Sequence, residues 1–221
     1  MNEEHRRVAN EVADVKLELL AMSGEVEDAL QRAIAALLNS DVAQAHRVIA
    51  GDRGIDRMEV DIEEKCIELL ARQQPLAGDL RMITAAMRIA HDLERVGDHA
   101  VNIAESAERL PEPRGVSPIA ELAEMSSRAR AMLADAINAF VRRDPTLGRD
   151  VRSRDDYVDL LNRSICQILI TQMTQAPHLI SAGMEFFLVS RNLERVADLA
   201  TNIAEDVVFL IEGKSIRHHS P

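Results

Sequence analysis

The sequence predicts an all-α protein made of two pseudo-symmetric three-helix bundles, and three observations support this fold class. The chain has 221 residues, enough for one long helical domain or two small ones. Apolar residues recur every three or four positions along nearly its whole length, as on the buried face of an amphipathic helix. The phrase LERVGDHAVNIAE at residues 93–105 returns as LERVADLATNIAE at residues 193–205, so the second half repeats the plan of the first.

The predicted first bundle, residues 1–110, begins with a long helix that runs to about Leu38. Its apolar seam steps by four and three residues: Val8, Val12, Val15, Leu19, Met22 and Val26. Ser40 and Asp41 offer a cap for the next helix. That helix is predicted to be short, at residues 42–50.

A bend is predicted at Gly51 and Gly54, because glycine weakens a helix. A stronger helix follows and ends at Gln74 and Pro75, and its apolar face is formed by Ile55, Met58, Ile62, Cys66 and Leu69. A third long helix is predicted over about 79–109. The stretch PEPRGVSP that follows has three prolines and one glycine, so residues 111–117 are predicted to be a linker.

The predicted second bundle, residues 118–212, repeats this order. Its first helix spans 118–142, with a seam of Leu122, Met125, Ala129, Met132, Ala136 and Phe140. Asp144 and Pro145 read as an N-cap and a first-turn proline. The next helix runs to about Gln175, where Ala176 and Pro177 end it, and a last helix covers about 178–212. Residues 213–221 form a short polar C-terminal tail.

Composition limits the classes of partner. The formal net charge is −11, aromatic residues are 2% of the chain and there is no tryptophan, which argues against nucleic-acid binding. An acidic protein favours cations, or partners with basic patches. The N-terminus lacks the apolar region of a signal peptide, and no apolar run approaches the length of a membrane span, so we expect a cytoplasmic protein.

The duplicated phrase places acids four residues apart on one helix face. Glu94 and Asp98 form one such stripe, and Glu194 and Asp198 form the other. If the preceding helix folds back as a hairpin, the stripes meet acids of that helix. The first stripe would then face Asp52, Asp56 and Glu59, and the second would face Asp156 and Asp159.

Clustered carboxylates repel one another, and their pKa values rise unless a cation neutralises them. Carboxylate oxygens are hard ligands suited to Mg²⁺, Mn²⁺, Ca²⁺ or iron. One metal site per bundle, mononuclear or polynuclear, is therefore the hypothesis. The alternative is a solvated acidic face that is paired with Arg57, Arg95 and Arg195.

The two sites should differ in strength. Asp52 aligns with Arg152, and Asp92 aligns with Asn192, so the second site has fewer acids and a nearby cation. We therefore expect weaker metal binding there. Glu105 and Glu205 lie outside the predicted clusters and are interpreted as structural, capping or partner-contacting. His91 and His99 are not counted as ligands, because the repeat replaces them with Arg191 and Leu199.

The sequence contains no assembled catalytic apparatus, so we do not expect an enzyme. There is no Glu-x-x-His motif of the kind that di-iron bundles require, no Walker A loop, no GxGxxG and no GxSxG. A metal-dependent hydrolase that uses the acidic clusters to activate water is the alternative, and a helical scaffold without metal is a third reading.

Three stretches together resemble the PhoU family over essentially the whole chain: the duplicated phrase at residues 93–105 and 193–205, DRGIDRMEVDIEEKCIELLARQQPLAGDLR at residues 52–81, and SIRHH near the C-terminus. The resemblance implies a fold of two side-by-side three-helix bundles. It also implies metal binding (Mg, Mn, Fe or Zn) through Glu/Asp-x-x-x-Asp motifs. These motifs correspond here to Glu94 with Asp98, Glu194 with Asp198, and Asp52 with Asp56. Arg152 replaces an expected Asp, which puts a full second cluster in doubt.

The resemblance further implies a regulator of phosphate uptake and of the phosphate-starvation response. Such a protein would act as an adaptor between the ATPase subunit of the phosphate ABC transporter and the phosphate-sensing histidine kinase. It would repress signalling and limit uptake when phosphate is plentiful. It would be a homodimer and would reach the membrane only through its partners.

Overall fold

The computed structural model describes residues 3–72, 75, 77–110 and 120–214. Within these ranges the chain is helical and contains no β-strand, and none of the helices is long and apolar enough to cross a membrane. The α-helices are α1 (Glu3–Asn39), α2 (Val42–Arg72), α3 (Ala77–Arg109), α4 (Ala120–Arg142), α5 (Pro145–Ser153), α6 (Asp155–Gln175) and α7 (Ile180–Glu212). The predicted end at Gln74, the linker 111–117 and tail residues 215–221 lie outside the described residues, and the domain boundaries placed there stay predictions.

The helices form the two predicted bundles. α1, α2 and α3 pack against one another, α4, α5 and α6 pack around α7, and α3 contacts α7. The apolar seams explain this arrangement. Val15, Leu19, Met22 and Val26 on α1 are all buried, and so is every predicted seam residue of α4. An apolar stripe of this width has to be covered by neighbouring helices.

Two helix starts follow the predicted capping chemistry. The Asp41 carboxylate accepts a hydrogen bond from the Gln44 backbone N–H at 2.9 Å, just before α2. The Asp144 carboxylate accepts from Thr146 and Leu147 N–H at 2.9 and 3.1 Å, and Pro145 occupies the first turn of α5. α1 and α3 also end within one residue of the predicted positions.

The predicted bend at Gly51 and Gly54 is wrong, because α2 runs through both residues without interruption. Both glycines are exposed, while the flanking Val48 and Ile55 are buried in the core. A helical glycine costs about 1 kcal/mol relative to alanine. Burial of a Val or Ile side chain contributes about 1.5–3 kcal/mol, so packing outweighs the glycine penalty.

The interruption lies instead in the second half, where one continuous helix is predicted up to Gln175. α5 ends at Ser153 and α6 begins at Asp155. The Arg154 N–H donates to the Val151 carbonyl at 3.1 Å, a contact one residue tighter than an α-helical one. The Arg154 side chain holds this corner through Asp135, at 2.6 Å, and through Asp150. The last helix also starts later than predicted, at Ile180, after a 3₁₀ turn at Pro177–Leu179.

α3 and α7 lie antiparallel, and arginines of α3 reach acceptors on α7 at regular intervals. Arg88 pairs with Asp206 at 3.2 Å and Arg109 with Glu185 at 3.3 Å, and Arg81 donates to the Leu210 carbonyl at 3.4 Å. A seven-residue spacing keeps side chains on one face of a helix, towards its partner. With Arg95, which has the same spacing, these residues form what we call the arginine ladder: Arg81, Arg88, Arg95 and Arg109.

Candidate metal centres

The hairpin of α2 and α3 brings the first group of predicted acids together. Burial raises the pKa of Asp52, and the charges of Asp56 and Asp98 raise it further. Burial also raises the pKa of Glu94, together with the charges of Asp98, Glu59 and Asp56. These mutual effects indicate that the acids lie near one another across the hairpin. We call this group the first acidic cluster: Asp52, Asp56, Glu59, Glu94 and Asp98.

Gly97 allows α2 to lie close to α3 at this cluster. A Cβ atom at Gly97 would lie 3.3 Å from two side-chain atoms of Ile55 and 3.6 Å from the Asp52 Oδ1 atom. A larger side chain would therefore push against the residues that carry the cluster. Gly97 sits between Glu94 and Asp98 in sequence, so the motif includes the close packing that brings its partner helix near.

His91, just before the duplicated phrase, and His99, within it, both contact polar side chains. His91 Nδ1 lies 3.3 Å from Glu59 Oε1, at the edge of the first acidic cluster. The positive charge of a protonated His91 opposes the rise in the Glu94 pKa. His99 Nδ1 lies 2.9 Å from the Asn192 side-chain oxygen on α7. The repeat comparison, which set His91 aside as a ligand, gave no sign of its contact with Glu59.

The second group of acids centres on Asp155, which the sequence comparison missed. Its pKa is raised to about 6, first by burial and then by the charges of Asp198, Asp159 and Asp156. Asp156 itself is exposed. We call this group the second acidic cluster: Asp155, Asp156, Asp159 and Asp198.

The corner at Arg154 explains why Asp155 was missed. A strict offset of one hundred residues pairs Asp155 with the buried Ile55 and pairs Asp156 with Asp56. The interruption between α5 and α6 breaks this correspondence, and Asp155, at the first position of α6, is the residue that lies beside Asp198. The sequence did carry one signal for this site, the acidic doublet Asp155–Asp156. Depending on a one-residue change in the alignment of the two halves, either acid would have been placed in the cluster.

Arginines contact the acids of the α7 stripe directly. Arg191 forms an ion pair with Glu194, and Arg195 pairs with Asp198 at 2.9 Å. Glu194 does not line the cleft beside Asp155. Arg152, which was expected to be the cation near this site, pairs with Glu205 at 3.2 Å instead. The second cluster therefore has a competing cation in Arg195, and Arg152 reaches the cleft beside the cluster through Glu205.

A cleft of about 320 Å³ opens beside the second acidic cluster. It lies where α3 meets α6 and α7, so residues of both bundles contribute to it. Burial in this cleft is the largest cause of the raised pKa of Asp155, and a hydrogen bond from the Thr201 hydroxyl offsets a small part of the rise. The cleft is lined by Arg95, Asp155, Arg195, Asp198, Leu199, Thr201, Asn202 and Glu205.

The donor chemistry of both clusters fits a hard cation, because each consists of carboxylates that repel one another. In the part of the chain that the structure describes, however, no three His, Cys, Asp or Glu side chains are already arranged around a common point that could hold a metal ion. Binding would therefore require side-chain rotation within the clusters. The helices bring these carboxylates near one another, and among the described residues their side chains do not form a ligand sphere.

Comparison with known proteins gives a consistent match. A family model described as "PhoU domain" matches residues 19–107 and again residues 122–207. A phosphate-specific transport system accessory protein PhoU homolog of Pseudomonas aeruginosa is 39% identical over 210 residues, which cover 94% of this chain and 86% of that protein. The homolog of Aquifex aeolicus is 38% identical over 96% of both chains.

Solved structures agree with the sequence comparison. The crystal structure of PhoU from Pseudomonas aeruginosa has a TM-score of 0.89 at 38% identity and covers 93% of this chain and 99% of that one. The phosphate transport system regulatory protein PhoU from Streptococcus pneumoniae has the same TM-score at 28% identity, with 95% and 99% of the two chains covered. The similarity therefore spans both bundles.

Proposed function

This chain belongs to the PhoU family, and on that premise we propose that it is a regulatory accessory protein of phosphate uptake. The observation that carries the proposal is the extent of the similarity, which covers nearly all of this chain and most of a relative named as a phosphate-specific transport system accessory protein.

In this proposal the protein is an adaptor in the cytoplasm. It contacts the ATPase subunit of the phosphate ABC transporter and the phosphate-sensing histidine kinase, and it reaches the membrane only through them. When phosphate is plentiful it limits uptake and represses the starvation response. The net charge of −11 suits partners with basic patches. Apolar side chains that are about half exposed on α2 and α6 are candidates for a partner contact or a homodimer contact: Val60, Ile67, Leu160 and Ile170.

We propose that a cation, with Mg²⁺, Mn²⁺, iron and Zn²⁺ as candidates, binds at each acidic cluster. Burial, and after it the charges of neighbouring carboxylates, raise the pKa values of Asp52, Glu94 and Asp155, and a bound cation would offset both effects. The metal would neutralise the hairpin faces and stabilise each bundle in the form that docks. It would be held by the two acidic clusters, with Glu194 at the margin of the second.

A quadruple variant tests this proposal: alanine at Glu94, Asp98, Glu194 and Asp198. We expect it to lose bound metal, to bind the ATPase and the kinase more weakly in pull-downs, and to release repression of a starvation-response reporter. Asp14→Ala, which removes an exposed carboxylate outside both clusters, is the control and should behave as the wild type. If the quadruple variant kept metal content, partner binding and repression, the proposed role of the clusters would be wrong.

A further inference from the structure

Arg95 is the one member of the arginine ladder that is not engaged across the α3–α7 contact. Arg88 and Arg109 have carboxylate partners, and Arg81 has a backbone carbonyl. In the same register Arg95 lies opposite the apolar Leu199. Among the described residues, no carboxylate lies within ion-pair distance of the Arg95 guanidinium. Its five N–H donors are therefore available to a ligand from outside the chain.

The cleft collects further hydrogen-bond donors around Arg95. Arg195 and Asn202 line the same cleft. The buried Thr201 hydroxyl lies beside the Asp155 carboxylate in this cleft. Burial lowers the pKa of His99, and the charges of Arg95 and Arg195 lower it further, so both guanidinium groups lie near one ring between the two helices. Two arginines, a hydroxyl and an amide thus converge on one opening.

The net charge of the cleft determines whether it can bind an anion. The Glu205 carboxylate is paired with Arg152 at 3.2 Å, and the Asp198 carboxylate with Arg195 at 2.9 Å. The remaining charged groups, Asp155 and Arg95, have opposite signs, so the cleft is close to neutral as it stands. A divalent cation on Asp155 and Asp198 would make it positive and would release Arg195 for another ligand.

We propose that this cleft binds a tetrahedral oxyanion of the phosphate class between Arg95, Arg195 and a divalent cation that is held by Asp155 and Asp198. The inference rests on the proposed metal site of the second acidic cluster. The planar forks of two arginines match the oxygen pairs of such an anion. The volume of about 320 Å³ holds the anion together with the cation and water. Because Arg95 belongs to α3 and the other residues to α6 and α7, the bound anion would join the two bundles.

Isothermal titration on the full chain tests the proposal in two steps: Mg²⁺ alone, then inorganic phosphate with and without Mg²⁺. We expect the wild type to bind phosphate only when Mg²⁺ is present. Arg95→Gln should weaken phosphate binding about tenfold or more, because a hydrogen-bonded charge pair is lost. The same variant should keep its affinity for Mg²⁺ or bind it more tightly. Arg142→Gln, which removes an exposed arginine outside the cleft, should match the wild type.

Each remaining result would overturn one claim. If Mg²⁺ binds but phosphate does not, or phosphate binds equally well without Mg²⁺ or to Arg95→Gln, the oxyanion site is wrong and the metal site stands. If no Mg²⁺ binds, the metal proposal fails, and this inference fails with it. Circular dichroism verifies that the variants are folded. Arg95→Lys, which keeps the charge and loses the fork, should bind phosphate with intermediate affinity.

Discussion

Arg88 on α3 and Asp206 on α7 form an ion pair at 3.2 Å in which the Asp206 side chain is only 2% exposed. The Arg88 guanidinium also lies over the ring of Phe209, 5.3 Å from its centroid. A carboxylate buried to this degree depends on its partner, because water cannot replace the lost interaction. The contact between the bundles therefore contains a charge pair in which Arg88 stabilises a buried Asp206 carboxylate.

Arg88→Leu should destabilise the protein by about 3 kcal/mol, because it leaves the Asp206 charge buried without its arginine. The double variant Arg88→Leu with Asp206→Leu should lose less, since no unpaired charge remains. Urea unfolding of the metal-free protein measures both values. Arg72→Leu is the control, because its pair with Glu68 is exposed and should contribute less than about 1 kcal/mol. Equal losses in the single and double variants would contradict this account.

Two helical glycines should respond in opposite ways to alanine. A Cβ at Gly54 would meet no atom within 4 Å, so Gly54→Ala should stabilise α2 by about 0.5–1 kcal/mol. A Cβ at Gly148 would lie 2.9 Å from the Ala204 carbonyl oxygen, so Gly148→Ala should force α5 away from α7. We expect that shift to cost about 1–3 kcal/mol. Thermal and urea unfolding compare the two variants, and a stabilising Gly148→Ala would show that α5 packs more loosely than described.

Asp155→Asn should stabilise the metal-free protein at neutral pH. The pKa of Asp155 is raised from 3.8 to about 6, so the folded state binds this proton more tightly than the unfolded state. The protonated Asp155 side chain therefore adds to the free energy of unfolding at low pH, and this contribution is lost as the pH rises from about 4 to about 6. After allowance for solvent at this partly exposed site, we expect a gain of about 1–2 kcal/mol near pH 7.5 and almost none near pH 4.

Unfolding of the wild type and Asp155→Asn at these two pH values provides the measurement. Asp14→Asn is the control, because it removes an exposed carboxylate outside both acidic clusters. A difference between wild type and Asp155→Asn that does not change with pH would mean that the substitution acts through packing, not through the ionised carboxylate.

The two acidic clusters should bind divalent cations with different affinities. In the second cluster Arg195 pairs with Asp198 at 2.9 Å, and a metal must displace it. The first cluster shows no such arginine pair among the described residues, and His91 Nδ1 lies 3.3 Å from its Glu59 Oε1. Titration with Mn²⁺ or Mg²⁺ should therefore resolve a stronger and a weaker site. Arg195→Gln should strengthen the weaker one several-fold, and equal affinities in the wild type would refute the asymmetry.

Much of the fold could be predicted because periodicity and capping act locally. Asp144 and Pro145 specify the start of α5 with no tertiary information, and the α1 and α4 seams are buried as their spacing predicts. The bend at Gly51 and Gly54 was wrong because it weighed glycine propensity without the burial of Val48 and Ile55. The break between α5 and α6 at Arg154 depends on contacts of its side chain with Asp135 and Asp150, and no local sequence pattern predicts it.

The first acidic cluster was predictable because α2 and α3 are regular helices in a hairpin. The position of the turn and the rise per residue are enough to work out which residues of such a pair face each other. The second was predictable only in outline. Asp198 could be placed from the repeat, whereas Asp155 is brought in by a corner that the first half lacks. The arginine ladder escaped notice for another reason: it joins helices that are far apart in sequence, and repeat alignment highlights what the halves share.

The charged residues that pair between α3 and α7 are not repeated in the other half of the sequence. At the positions one hundred residues away, Arg88 becomes Leu188 and Arg109 becomes Phe209, while Asp206 corresponds to Ser106 and Glu185 to Ala85. Two copies of the first half that met through this face would place Arg88 against Ser106 and Arg109 against Ala85, with no acid to receive either. The two halves thus differ at this contact, and the charged residues of one complement those of the other. Neither half can substitute for the other, and the pairing of unlike halves within one chain is favoured over the pairing of like halves between chains.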